Sequence, residues 1–267
     1  MKPASPSQPG DLLMITFDAL RYDVAMSAWE TGQTPFLREL IPTRWERRHT
    51  PGNFTFAAHA AFFAGFFPTP ETPGPQTRPF ALRFPGSRTV GQNTCQLDGE
   101  NIVIGLRAKG YRTICIGGVG FFNPATPLGS VFPAMFDQSY WRTEFSVSQV
   151  RSPRAQVRQA CECIANSPIN EPLFLFLNIS ATHPPTHSYL PGTQADSVDT
   201  QAAALSYVDR ALPELFAALK SRGRCGRGFL MSDHGTLFGE DGWTGHRVSH
   251  PDVWRVPYAE ICWEPNS

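Results

Sequence analysis

Residues 11–18 read Asp-Leu-Leu-Met-Ile-Thr-Phe-Asp, and residues 228–235 read Gly-Phe-Leu-Met-Ser-Asp-His-Gly. Each is a short apolar run that stops at a carboxylate, and a run of this length suits a strand buried on both faces of a parallel sheet. Tyr111-Arg-Thr-Ile-Cys-Ile116 and Leu173-Phe-Leu-Phe-Leu-Asn-Ile179 read as further strands of the same kind. Helical patterns lie between and around them. One starts at Thr34-Pro35, with Thr34 at the cap and Pro35 in the first turn. An alanine-rich one runs from Phe56 to Gly65, and others cover Asn101–Lys109, Arg151–Ala165 and Ser197–Leu219, the longest. Strands alternating with helices predict an α/β fold, a three-layer α/β/α arrangement around a mainly parallel central sheet. No internal repeat or boundary is visible, so residues 1–10 are expected to form a flexible Pro/Ser-rich lead and residues 11–267 a single domain.

Composition narrows the function. Lys plus Arg and Asp plus Glu are each 23 in 267 residues, a net charge of zero. Nucleic-acid binding needs clustered positive charge and is not expected, whereas a small anionic substrate is compatible with a locally charged site. The 41% hydrophobic content excludes general disorder. No apolar stretch approaches the roughly 20 residues of a membrane segment. The opening MKPASPSQPGD lacks a signal-type apolar segment, so a cytoplasmic location is expected. The Pro/Gly-rich stretch from Pro70 to Arg88 and the irregular, aromatic stretch Asn123–Gln149 read as long loops. The six cysteines are scattered, and Cys161 and Cys163 point to different helix faces, which argues against a zinc knuckle. The oligomeric state is left open.

In open α/β sheets ligands sit beyond the carboxyl ends of the strands. Asp18, His183 and the pair Asp233-His234 occupy those ends. Two carboxylates and an imidazole brought together there would repel or take up a proton unless a divalent ion joined them. Thr55 precedes the alanine-rich helix, as an N-cap would. The same placement puts a hydroxyl where amides and the helix dipole favour negative charge, and a bound metal would lower its pKa. Of the seven histidines, His49 sits in a basic run and reads as solvated. His59, His183, His187, His234, His246 and His250 all lie near Thr55 or the strand ends. Gly117-Gly118-Val119-Gly120 has neither P-loop nor dinucleotide spacing and reads as a close-packed strand exit. Leu205, Val208, Leu212, Leu215 and Phe216 form a core stripe, with Asp209 at the surface or a cap.

Taken in order, LLMITFDALRYD, TPFLREL, NFTFAAHAAFFAGFFP, LFLFLNISATHPPTHSYLPG, AALSYVDRALPELFAAL and FLMSDHGTLFGEDGWTGHR followed by VPY resemble the core of the alkaline phosphatase superfamily. The resemblance is to its sulfatase-like, metal-dependent phosphoesterase branch and spans nearly the whole chain, with Val256–Cys262 as the last shared strand. It implies that Asp18, Thr55, Asp233 and His234 ligate a divalent ion, with Thr55 also the nucleophile. His183 and His246 would hold the substrate's non-bridging oxygens, and His59 and His250 would join the substrate-binding set. Two-metal members carry an Asp-x3-His pair in mid-chain. Here the corresponding stretch is His183-x3-His187, which with His246 would make a three-histidine second site. The missing aspartate favours one ion over two. An imidazole among carboxylates favours Zn²⁺ or Mn²⁺ over Ca²⁺.

Sulfatases resemble Cys-x-Pro-Ser-Arg at the nucleophile, whose cysteine or serine becomes formylglycine. This chain has Thr55-Phe-Ala-Ala-His59, and threonine's β-methyl forbids that aldehyde. The resemblance therefore implies a hydrolase of phosphate mono- or diesters, or phosphonates, acting through phosphothreonine. A sulfuric ester hydrolase, a phosphotransferase or phosphomutase, and a non-catalytic metal-containing binding module are the alternatives. Thr69–Arg88 and Phe121–Gln149 are the segments expected to wall the substrate pocket.

Overall fold

In the strand Asp11–Phe17, Leu13, Ile15 and Phe17 pack into one core while Met14 enters another on the opposite face. Leu173–Ile179 divides the same way, with Leu173, Leu175, Leu177 and Ile179 to one side and Phe174 and Phe176 to the other. A strand buried on both faces needs no polar alternation, which is why these segments read as unbroken apolar runs.

The computed structural model describes residues 9–65, 80–82, 95–97 and 100–265. Its strands are β1 (Asp11–Phe17), β2 (Glu46–His49), β3 (Phe80–Leu82), β4 (Cys95–Leu97), β5 (Arg112–Ile116), β6 (Gln138–Tyr140), β7 (Leu173–Ile179), β8 (Gly226–Met231), β9 (Leu237–Phe238), β10 (Thr244–Gly245) and β11 (Arg255–Trp263). Its helices are α1 (Tyr22–Glu30), α2 (Pro35–Leu40), α3 (Thr55–Ala64), α4 (Ile102–Ala108), α5 (Ser152–Ala165), α6 (Val198–Asp209), α7 (Leu212–Ser221) and α8 (Pro251–Trp254). Seven strands form the central sheet in the order β2-β11-β8-β1-β7-β5-β6. β8, β1, β7, β5 and β6 run parallel, and β11 and β2 are added antiparallel. One core joins the sheet to α1, α2, α5, α6 and α7; the other, dominated by phenylalanine, joins it to α3 and α4. The expected three-layer α/β/α fold is the one observed.

Two expectations about elements are corrected. The Ser197–Leu219 pattern is two helices, α6 and α7, because Pro213 in the first turn of α7 has no N–H to continue the ladder and its ring would meet the carbonyl four residues back. Thr34 does not cap α2 with its side chain; Asp209 does, accepting from the amides of Leu37 at 2.7 Å and Phe36 at 3.2 Å. Asp209 is thus a cap, and a buried one. The close-packed reading of Gly117 and Gly118 holds: a Cβ on Gly118 would stand 2.4 Å from the Asn178 carbonyl oxygen. The N-terminal lead up to Gln8, and the Thr69–Arg88 wall apart from the strand backbone of 80–82, lie outside the described residues.

Candidate active site

β1 and β8 are neighbours in the sheet, so the residues that follow them emerge side by side. Asp18 comes directly after β1, and Asp233 and His234 come two and three residues after β8. All three side chains are completely buried. Asp233 is oriented by the amides of Ala19, 3.1 Å, and His234, 3.0 Å, both on Oδ1. Asp18 is held through Oδ2 by Asn178 Nδ2 at 2.9 Å. The remaining oxygens, Asp18 Oδ1 and Asp233 Oδ2, are buried with no hydrogen-bond partner among the described residues. His234 donates Nδ1–H to the Gly235 carbonyl at 2.9 Å, which turns its Nε2 lone pair toward the acids, 3.4 Å from Asp233 Oδ2 and 3.8 Å from Asp18 Oδ1. Gly235 is required by packing, since a Cβ there would lie 1.8 Å from the Asp252 carbonyl oxygen.

Burial pushes both carboxyl pKa values up, and for Asp18 the charge of Asp233 adds to the rise. Burial likewise pushes His234 down, opposed by Asp18. Two buried acids with orphaned oxygens facing a neutral imidazole are unfavourable by themselves and become favourable around a cation. Asp18, Asp233 and His234 are also the one group of three such residues, among those described, whose ligand atoms lie within 4.8 Å of one another. The donor set therefore fits a divalent metal.

Thr55 completes the cluster. The N-cap of α3 is Phe54 and makes no side-chain cap, so Thr55 is the first helical residue and its hydroxyl is not spent on capping. Its Oγ1 lies 3.3 Å from His234 Nε2 and 3.5 Å from Asp18 Oδ2, at a helix end whose free amides and dipole favour an anion. His183 and His246 stand over it: the ring centroids of His246 are 4.5 Å from His234 and 5.3 Å from His183. His183 donates Nδ1–H to the Pro184 carbonyl, 2.5 Å, leaving Nε2 available. Thr55, His183 and His246 line one cavity of about 430 Å³, together with Val119, Phe121 and Leu128. Phe121, Leu128 and Val147 come from the Phe121–Gln149 segment expected to wall the pocket.

Three histidines stand elsewhere than expected. His59 is fully buried beneath Thr55 among Phe62, Phe63, Phe122, Phe132 and Phe176, with Nδ1 on the Thr55 carbonyl and Nε2 on Thr16 Oγ1, so it cannot meet a substrate. Its i+4 spacing from Thr55 puts it on the same face of α3 but one turn deeper. His187 pairs with Asp196, 3.1 Å from Nδ1, and does not join His183 and His246 in a three-ligand group. His250 caps α8, accepting from the Asp252 amide at 3.1 Å, and its other nitrogen is 3.2 Å from Asp241. Two residues that sequence reading passed over take part: Asn178, a polar break in an apolar strand, and Arg21, whose guanidinium joins Asp23, Asp252 and Glu240 beside the site. The first was visible as an anomaly of composition, the second as part of the Asp18–Asp23 loop, but neither had a spacing that named its partner.

The sulfatase family model matches residues 11–263. Among solved structures, the C-terminal periplasmic domain of phosphoethanolamine transferase EptC from Campylobacter jejuni superposes with a TM-score of 0.64 at 14% identity, covering 95% of this chain and 79% of that one. The soluble domain of lipooligosaccharide phosphoethanolamine transferase A from Neisseria meningitidis gives 0.65 at 13% identity, covering 97% and 78%. A protein of the alkaline phosphatase superfamily from Vibrio parahaemolyticus gives 0.60 at 18%, covering 98% and 62%. At these identities the likeness is one of fold. No curated protein matches the chain.

Proposed function

Because this chain belongs to the sulfatase family, we propose that it is a metal-dependent enzyme that cleaves phosphoric esters through Thr55. The observation that carries this reading is a buried threonine hydroxyl in the first turn of a helix, not used as its cap, within 3.5 Å of both a buried carboxylate and a buried imidazole. Asp18, Asp233, His234 and Thr55 would hold one divalent ion, for which we propose Zn²⁺ or Mn²⁺ on the mixed imidazole–carboxylate donors. Bound there, the ion would lower the pKa of the adjacent hydroxyl and offset charge on the ester.

The chain's own residues account for the rest. Thr55 Oγ attacks phosphorus in line, forming the Thr–O–P bond as the ester P–O bond breaks and the alcohol leaves with a proton. The α3 N-terminus faces the negative charge that develops, and His183 and His246 donate to the equatorial oxygens. Water then takes the phosphoryl group from Thr55 and regenerates the hydroxyl. A threonine cannot become formylglycine, so phosphate esters are favoured over sulfate esters. A cytoplasmic location remains part of this proposal; no helix among the described residues is long and apolar enough to cross a membrane.

Transfer to an alcohol in place of water is the second reading, favoured by two structural neighbours that are phosphoethanolamine transferases. The test is turnover of aryl phosphate mono- and diesters by zinc- or manganese-loaded protein, with acid-quench mass spectrometry of Thr55. Thr55→Ala is expected to lower turnover by at least about 1,000-fold and abolish the phosphorylated peptide. Near-parental turnover in that variant would overturn the nucleophile. Glycerol added as acceptor separates the readings, since a transferase yields glycerol phosphate at the expense of free phosphate.

A further inference from the structure

One charged group of the cavity takes no part in the chemistry above. Arg247 follows His246 and lines the same cavity as Thr55 and His183. Among the described residues no carboxylate pairs with its guanidinium, which lies over the Phe54 ring with Cζ 5.5 Å from the centroid. Arg247 is the only fixed cation among the described residues that line the cavity. The Arg247 backbone is held at φ +70°, a left-handed conformation that residues with a Cβ rarely adopt. Its amide donates to the Asn53 carbonyl at 2.8 Å, two residues before the nucleophile. Strain of this kind persists where surrounding structure enforces it, and it clusters at ligand sites. The same cavity is lined by the apolar side chains of Val119, Phe121, Leu128 and Val147.

We propose that Arg247 is the anion clamp of this pocket, holding an oxygen of the ester's acidic group, while the Val119–Phe121–Leu128–Val147 wall receives an apolar, ring-sized organic group and sets the specificity. The substrate class is then an aryl or similarly apolar ester of phosphoric acid, and a polar polyol ester is selected against. A cavity of about 430 Å³ accommodates such a group beside the phosphoryl moiety. This inference rests on the pocket being the substrate site, but it does not depend on which residue is the nucleophile.

The test uses phenylphosphonate and methylphosphonate, whose C–P bonds survive, titrated calorimetrically into the zinc-loaded full chain. The parent is expected to bind the phenyl compound more tightly. Arg247→Gln should weaken both by roughly 10- to 100-fold, the range for a charge-assisted hydrogen bond, and leave their ratio unchanged. Phe121→Ala should shrink the ratio and leave methylphosphonate binding as it was. Arg247→Gly relieves the left-handed backbone, so its melting temperature should not fall below the parent's while its phosphonate affinity falls as in Arg247→Gln. Unchanged affinity in Arg247→Gln overturns the clamp, and equal or absent binding of the two compounds by the parent overturns the apolar specificity. Phosphonate binding that follows Arg247 while Thr55→Ala retains turnover would refute the nucleophile and uphold the clamp; the opposite pair of results would do the reverse.

Discussion

Asn178 is polar in a strand where every neighbour is apolar, and its amide is fully used. Nδ2 donates to Asp18 Oδ2 at 2.9 Å and to Thr16 Oγ1 at 3.2 Å, while Oδ1 accepts from the amides of Gly118, 3.3 Å, and Val119, 3.1 Å. Thr16 Oγ1 stands 3.0 Å from His59 Nε2, and His59 Nδ1 donates to the Thr55 carbonyl at 2.8 Å. A continuous buried chain therefore links the Asp18 carboxylate, the pocket wall and the first turn of α3. Burial lowers the His59 pKa to about 3, which keeps the ring in the neutral form this chain requires. Asn178→Leu should destabilise the fold by about 2–4 kcal/mol in denaturant unfolding, because two buried amides lose their acceptor. It should also weaken metal binding by roughly 10- to 100-fold, as removal of a ligand's orienting partner does. Parental zinc affinity in a folded Asn178→Leu protein would show that Asp18 needs no such support.

Helix ends decide more here than helix interiors. Pro213 separates α6 from α7, and the break leaves Asp209 at the last turn of α6, where its carboxylate reaches the open amides of α2. The start of α3 is the counterpart, an N-terminus whose N-cap residue, Phe54, puts no side chain on its amides, beside the candidate metal site. Asp209→Ala should cost about 1–2 kcal/mol of stability, the usual worth of an N-cap, with esterase kinetics unchanged. A loss below about 0.3 kcal/mol would mean that the α2 amides find another acceptor. Helical character was legible from Thr34-Pro35, the alanine run after Thr55 and the Leu205–Phe216 stripe, but the break between α6 and α7 within that stripe was not. The identity of the cap was not, because Asp209 and Leu37 are 172 residues apart and only packing of α6 against α2 joins them.

For the whole molecule, the buried acids tie stability to pH and metal. Asp233 titrates near 3.8 in an unperturbed chain and is raised to about 7 in the metal-free fold by burial. The folded state then holds a proton that the unfolded state has lost, so this group's contribution to stability declines as pH rises from about 4 to 7 and is level above. Asp233→Asn removes the titration. In metal-free protein the variant's stability relative to the parent should grow over that window, read as a melting-temperature difference at successive pH values. Zinc should raise the parent's melting temperature and leave the variant's much less changed, by the linkage that gives about 4 kcal/mol at a thousandfold excess over the dissociation constant. A pH-independent difference, or equal zinc stabilisation of both proteins, would remove Asp233 from the metal site. Arg21 holds the same assembly from outside, tying the loop after β1 to Glu240 and Asp252.

The sequence by itself determined the layered α/β frame, because strands buried on both faces must be apolar throughout and the chain must return by helices between them. It also determined which strand ends carry carboxylate and imidazole, since Asp18 follows its strand directly and Asp233-His234 come within three residues of theirs. Only the tertiary structure decided which histidines share a cavity. His59, His187 and His250 have the same chemistry as His183 and His246, but helical phase buries the first and local partners occupy the other two. Only the fold, too, brought Asn178 against Asp18 and Arg247 against Phe54, contacts that span 160 and 193 residues and depend on strand neighbourhood and loop docking rather than on any local pattern.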